Sequence, residues 1–272
     1  MKHENPQKHP ARRGLRTFRS IIPVLVVLTT VGSALADLPS GEEVMERRIE
    51  ALGGEDALSR RHNSLMKGTM SVSGVDMAAT IYAAAPNLLY TLFESEMIGK
   101  MESGCNGEVS WDMSTMQGAS VKEGEELEKA LFDAAFNAEL HWRDRYTNID
   151  VLAEEGIEGT TCYRVALVPA IGDSVTAYVD KETWLTLRTE TVSNSDVGSI
   201  SIVTNLSDYR DVDGVKVPFS MKMMLMGAQE MTTVVDSVAF NVEIPEGTFD
   251  LPAEIQELLA AKQERAEERV SE

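Results

Sequence analysis

The sequence is poor in the side chains that carry out chemistry. Of 272 residues only four are histidine and two are cysteine, and 6% are aromatic. His3 and His9 fall in a basic leader, which leaves His62 and His141, neither with a partner at ligand spacing. A zinc site of ordinary type is thereby excluded, and no metal or cofactor is expected. The GxSxG elbow of hydrolases and the phosphate-cradling glycine loop are both missing. The stretch "GDSV" (Gly172 to Val175) weakly resembles a serine-esterase nucleophile block, but both remaining histidines lie upstream of it, and it reads as a turn. Basic residues are scarce too. The 25 Lys and Arg are outnumbered by 44 Asp and Glu, for a net charge of −19. So acidic a surface repels nucleic acid and anionic membranes. Carboxylates are the one abundant reactive group, and an acidic surface offers pairs of them whatever its role.

Long apolar runs are also few. The clearest, "IIPVLVVLTTVG", follows Lys2, Lys8, Arg12, Arg13, Arg16 and Arg19 and precedes "SALADLP". Basic region, apolar core and small-x-small site are the order of a secretory signal, with cleavage expected after Ala36. The run falls short of the roughly 20 residues a spanning helix needs, so no stable membrane insertion is expected after cleavage. Residues 1–36 hold six of the basic residues and one acidic residue, so the remainder carries −24. Cys105 and Cys162 would then stand in a disulfide-permitting compartment, either bridged or as two buried thiols.

What the chain does have is strand pattern and methionine. Ser40, with Glu43 three places on, opens a helix that Gly53-Gly54 ends, and "EDALSRR" follows as a short second turn. From Ser64 onward, strand-length runs recur about every ten residues between Gly, Pro and Asn punctuation, the spacing of an antiparallel meander. A helical stretch, "EGEELEKALFDAAFNAELHWRDRY", interrupts them, with Leu127, Leu131 and Ala135 on one stripe. Strands resume to about residue 244, and Pro252 opens a last helix whose tail from Arg265 is expected to be solvated. The expected fold is mainly antiparallel β (α+β). It has about 11–12 strands in a single strongly curved sheet, with helices covering one side, over residues 37–264. In "SDYRDVDGVKVPF" the aspartates suggest a calcium loop, but Tyr209 and Ser220 occupy two ligand positions. Asp-Gly between alternating strands is a hairpin turn.

Thirteen methionines follow the first residue, mostly in strands, and "PFSMKMMLM" is apolar on both faces. Flexible, polarizable side chains of this kind suit a surface that takes variable apolar partners. "IEALGGEDALSR", "SLMKGTMSVSG", "NGEVSWDMSTMQG", "YVDKETWLTLRTE" and "LSDYRDVDGVKVPFSMKM" together resemble the outer-membrane lipoprotein-sorting family of LolA/LolB-like domains over residues 43–260. The resemblance implies an unclosed β-barrel whose helices form a lid over a hydrophobic cavity. It also implies a periplasmic, non-catalytic protein that holds lipid or the acyl chains of a lipidated protein. On that reading, strand phase points Met70, Met77, Ile81, Leu92, Met101, Trp111, Met221, Met223 and Leu225 at the ligand, with Leu127 and Leu131 on the lid. Two rivals stand beside it. One is a periplasmic sensor similar to RseB that binds a protein partner, the other a carboxylate-dependent hydrolase.

Overall fold

Ser40 Oγ accepts the Glu43 N–H at 3.1 Å and starts α1 (Gly41–Leu52). The helix stops where Gly53 turns to φ 128°, a conformation that favours glycine. Glycine is needed here for space as well, since a Cβ on Gly53 would lie 2.1 Å from the carbonyl oxygen of Gly214. The end of α1 is thus seated on the Asp213-Gly214 turn, where φ is 48° and 84°, the paired positive values of a type I′ hairpin. Asp211 Oδ1 accepts the Gly214 N–H at 3.0 Å and fixes the turn. The aspartates therefore shape a hairpin and a helix seat.

The computed structural model describes residues 38–195 and 198–271. The chain divides into Met1–Asp37 and Leu38–Glu272, and the described residues all belong to the second unit. The signal segment and its expected cleavage site lie outside them. After α1 come α2 (Glu55–Ser59) and six strands, β1 (Asn63–Val72), β2 (Val75–Ala84), β3 (Leu88–Ser95), β4 (Gly99–Asn106), β5 (Ser110–Ser114) and β6 (Gly118–Val121). A helical connection follows, α3 (Gly124–Asp133), a 3-10 turn (Ala138–His141) and α4 (Trp142–Arg145). Seven more strands complete the sheet: β7 (Tyr146–Ile157), β8 (Thr160–Pro169), β9 (Val175–Asp180), β10 (Thr186–Ser195), β11 (Gly198–Val212), β12 (Val215–Leu225) and β13 (Gln229–Phe240). The last helix is α5 (Ala253–Ser271).

These strands form one antiparallel sheet in the order β6-β5-β4-β3-β2-β1-β13-β12-β11-β10-β9-β8-β7. The N-terminal strands run outward from β1 and the C-terminal strands run back to it. The two limbs are joined at the β1–β13 seam, and β6 and β7 are left as free edges of an unclosed barrel. The strand missed from sequence is β6, four residues reading "GASV" without a bulky side chain. The helical stretch between the limbs is not continuous either, because Asn137 takes φ 54° and its side-chain amide donates to the carbonyls of Leu58 and Arg61, both at 3.0 Å.

Packing is uneven. Under α1, Val44 and Met45 are buried with Trp142, Tyr163, Val165, Leu167, Ala177 and Val179. Ala57 and Leu58 of α2 pack on Val215. On the other side, α5 lies against β6, and Lys262 pairs with Glu123 at 2.7 Å. The tail from Arg265 continues α5 and is exposed through Glu268.

Candidate functional site

Residues opposite one another on paired strands share a face. One such row is Met77, Met70, Thr233, Met221 and Leu206, across five strands. Another begins Val75, Val72, Met231, Met223 and Thr204, then passes through Thr189 and Ala177 to Val165. Ala177 and Val165 are core residues beneath α1, so the methionine rows lie on the same, inner face. Ile81 joins this face opposite Met66, Met101 opposite Phe93, and Leu225 opposite Ile202.

Met70 and Met77 are buried, at 6% and 3% exposure. Ile81, Phe93, Met101, Leu206, Met221, Met223, Leu225 and Met231 are half-buried, and none belongs to the clusters that hold the helices on the sheet. The inner face over β1–β3 and β11–β13 is therefore an apolar trough, sheltered but not filled like the core under α1. Leu127 and Leu131 are half-buried on α3, which contacts β5. A Cβ on Gly172, in the β8–β9 turn, would stand 3.6 Å from the Lys129 side chain. The helix thus spans the opening between the two limbs.

Two expected ligand-facing residues are not in the trough. Leu92 pairs with Thr80 and Glu102, and Trp111 with Gly104 and Val121, all on the outer face. Trp111 is 2% exposed because its indole lies over Gly104, where a Cβ would meet the ring at 2.6 Å. It packs 6.4 Å from Tyr90, whose hydroxyl donates to Glu102 at 2.6 Å. Strand β3 is apolar on both faces, so alternation alone could not say which phase points inward, whereas β5 alternates Trp111 and Met113 with Ser110, Asp112 and Ser114 and turns its apolar side outward. The inner-face residues of "LLYTLF" are Leu89, Thr91 and Phe93, and of these Phe93 faces Met101 in the trough, which strand phase overlooked.

Of the two states open to Cys105 and Cys162, bridged or buried as thiols, the structure has the second. Both thiols are free and buried, on strands at opposite ends of the sheet order. Cys105 pairs with Leu89 on the inner face, and Cys162 lies on the outer face with Ile157 and Tyr178. Burial pushes the Cys162 thiol up, and nearby Asp180 adds to this.

At the free end of β4–β6 a cavity of about 670 Å³ is lined by Phe93, Ile98, Met101, Met113 and Met116 and likewise by Lys100, Glu102, Asp112 and neighbouring serine and threonine residues. That is within the size range of small-molecule sites. Charge enters the interior beneath α1. Arg48 Nε donates to Thr186 Oγ1 at 3.1 Å, and the Tyr209 hydroxyl donates to the Thr186 carbonyl at 2.7 Å. Burial lowers the Arg48 pKa, partly offset by Tyr146, Tyr209 and Glu139. Among the described residues no group of three or more His, Cys, Asp or Glu side chains is placed to hold a metal, and both His62 and His141 are exposed. What the arrangement offers is apolar area with adaptable side chains.

No family model matches the chain, and no curated protein matches it in sequence. Solved structures do match in fold. A putative outer membrane lipoprotein-sorting protein domain from Vibrio parahaemolyticus superposes with a TM-score of 0.55 at 11% identity, covering 77% of this chain and 97% of that one. A DUF1329 family protein from Desulfovibrio piger gives 0.54 at 12% identity, over 78% and 98%. A LolA superfamily protein from Nitrosomonas europaea gives 0.53 at 11%, over 79% and 99%. At such identities the likeness is one of fold, and the fold of this chain is that of the LolA-type lipoprotein-sorting domains.

Proposed function

We propose that this chain, exported and freed of residues 1–36, is a periplasmic, non-catalytic carrier that holds acyl chains of a lipid or lipoprotein in the inner trough. The observation that supports this most directly is the methionine-rich inner face, a connected apolar surface left half-buried outside the packed clusters. Methionine adapts to chains of differing length and unsaturation without a fixed shape. Each buried methylene contributes about 0.8 kcal/mol, so a dozen can offset extraction from a bilayer without any covalent step. Entry would follow a shift of α3, whose Leu127 and Leu131 face away from its acidic, exposed side. No membrane span is required, and among the described residues no helix is long and apolar enough to make one.

The test is native mass spectrometry of the chain from Asp37, purified without detergent and then extracted with organic solvent. Wild type should carry a lipid or lipopeptide. Met223→Glu places a charge in the trough and should lose it. Met224→Glu should keep it, because Met224 pairs with Val203 and Glu230 on the outer face. A ligand-free mass that stays unchanged after incubation with a lipidated peptide would overturn the proposal.

A further inference from the structure

In an antiparallel meander alternate turns fall at the same end of the sheet. The β1–β2, β3–β4, β5–β6, β8–β9 and β12–β13 connections therefore share one rim, and the β2–β3, β4–β5, β7–β8, β9–β10 and β11–β12 turns share the other. The two rims differ in chemistry. On the first, Met97 and Met116 are each 81% exposed, Met226 68% and Ile171 37%. On the second stand Glu158-Gly159, Lys181-Glu182-Thr183 and Asp213-Gly214. Among the described residues, every exposed large apolar side chain that lies in a turn is on the first rim. The other such side chains, Leu38, Leu152, Val192 and Val234, precede α1 or lie within strands.

We propose that this methionine-tipped rim docks on the surface of an uncharged, zwitterionic lipid bilayer, with Met97, Met116 and Met226 entering the headgroup layer. At about 4.8 Å per strand the tips spread over roughly 30 Å of sheet arc. Points spaced along a curved edge rest together on a plane better than in one protein groove. The cavity between two of the tips, which Ile98 and Met116 line, reaches from this rim to Met101 and Phe93 of the trough. Charge selects the kind of lipid. The nearby cations are already engaged, Lys100 with Glu94 at 3.0 Å and Lys222 with Glu230 at 3.1 Å, while Asp76 and Glu96 add exposed negative charge. Anionic headgroups are repelled here and neutral ones are not. The inference rests on the carrier reading for its purpose, since docking would bring the trough to its cargo, but its test is separate.

The experiment is co-flotation of Leu38–Glu272, the unit holding every described element, with phosphatidylcholine vesicles. The comparison is a variant carrying Met97→Ser, Met116→Ser and Met226→Ser. All three positions are exposed, so the variant should keep the wild-type circular dichroism and melting midpoint. Wild type should float, and the variant should partition at least roughly tenfold less. Adding phosphatidylglycerol should weaken wild-type flotation at low salt. Absence of flotation, equal flotation of the variant, or a preference for the anionic vesicles would each overturn the proposal. So would a concentration-dependent dimer that the three substitutions abolish, which would make the rim an interface between two copies. Retention of a soluble lipidated peptide, measured in parallel without vesicles, should be the same in both proteins. If that retention is absent while flotation persists, the carrier reading fails and the docking surface stands.

Discussion

Thr186 collects two hydrogen bonds that tie the lower interior together, one from the Arg48 guanidinium on its hydroxyl and one from Tyr209 on its carbonyl. Burial pushes the Tyr209 pKa up to about 12, against the Arg48 charge, which pulls it down. Tyrosine is neutral when protonated, so a raised native pKa means the unfolded chain ionises first, near pH 10. The stabilisation is fully present below pH 10 and is lost as pH rises from 10 towards 12, by up to on the order of 2 kcal/mol. Tyr209→Phe should cost about 1 kcal/mol at pH 8 through the lost hydrogen bond. It should also flatten the alkaline limb of stability against pH. Urea unfolding from pH 8 to 11.5 measures both, and an unchanged alkaline slope would mean Tyr209 is not held as described. Tyr90, raised by burial and by its bond to Glu102, keeps its own share of that limb in both proteins.

At the scale of elements, the contact between α1 and the β11–β12 hairpin shows best how local signals become architecture. Gly53 ends the helix and also lets the turn approach. Gly53→Ala would combine an unfavourable φ of 128° with a Cβ 2.1 Å from the Gly214 carbonyl oxygen, which is backbone and has little room to yield. The expected cost is about 2–4 kcal/mol, seen as a lowered urea midpoint. Gly54→Ala is the control, because nothing lies within 4 Å of its added Cβ and only its φ of 83° is strained. If the two cost the same, the seat on the hairpin contributes nothing. These elements were legible in the sequence because their signals are local: a serine cap, a paired glycine stop, an Asp-Gly turn. The faces of β3 and β5 were not. "LLYTLF" alternates apolar with apolar, so the inward choice of Phe93 over Leu92 depends on pairing with Met101, a residue on another strand. Likewise Trp111 turns outward because Gly104 leaves space for its indole there. The interruption of the helical stretch at Asn137 was hidden for a related reason, as its left-handed conformation is held by carbonyls about 76 to 79 residues away.

Across the whole molecule, pairing between β1 and β13 is what makes two meanders into one sheet, with both far edges left free. The seam is close-packed through a register shift between Lys67 and Gly68, where a Cβ on Gly68 would lie 2.3 Å from the Val234 carbonyl oxygen. Gly68 faces Val235, which fills the inner side at 2% exposure, while the adjacent Val234 is turned outward at 49%. A charge is therefore tolerated at one of two neighbouring valines and not at the other. Val234→Asp should change stability by no more than about 0.5 kcal/mol, as at most surface positions. Val235→Asp must either desolvate a carboxylate or open the seam, and costs about 4 kcal/mol or more. That is a large part of the 5–15 kcal/mol that typically holds a domain together. Loss at the seam should also reach both limbs. In Val235→Asp, hydrogen exchange should quicken in β2 and β12 alike, whereas in the native chain those strands exchange more slowly than the free-edge β6. Acceleration confined to one limb would show two independently folding halves. If instead Val234→Asp were the damaging change, the register of β13 would be displaced by one residue, which would also turn Met231 out of the trough.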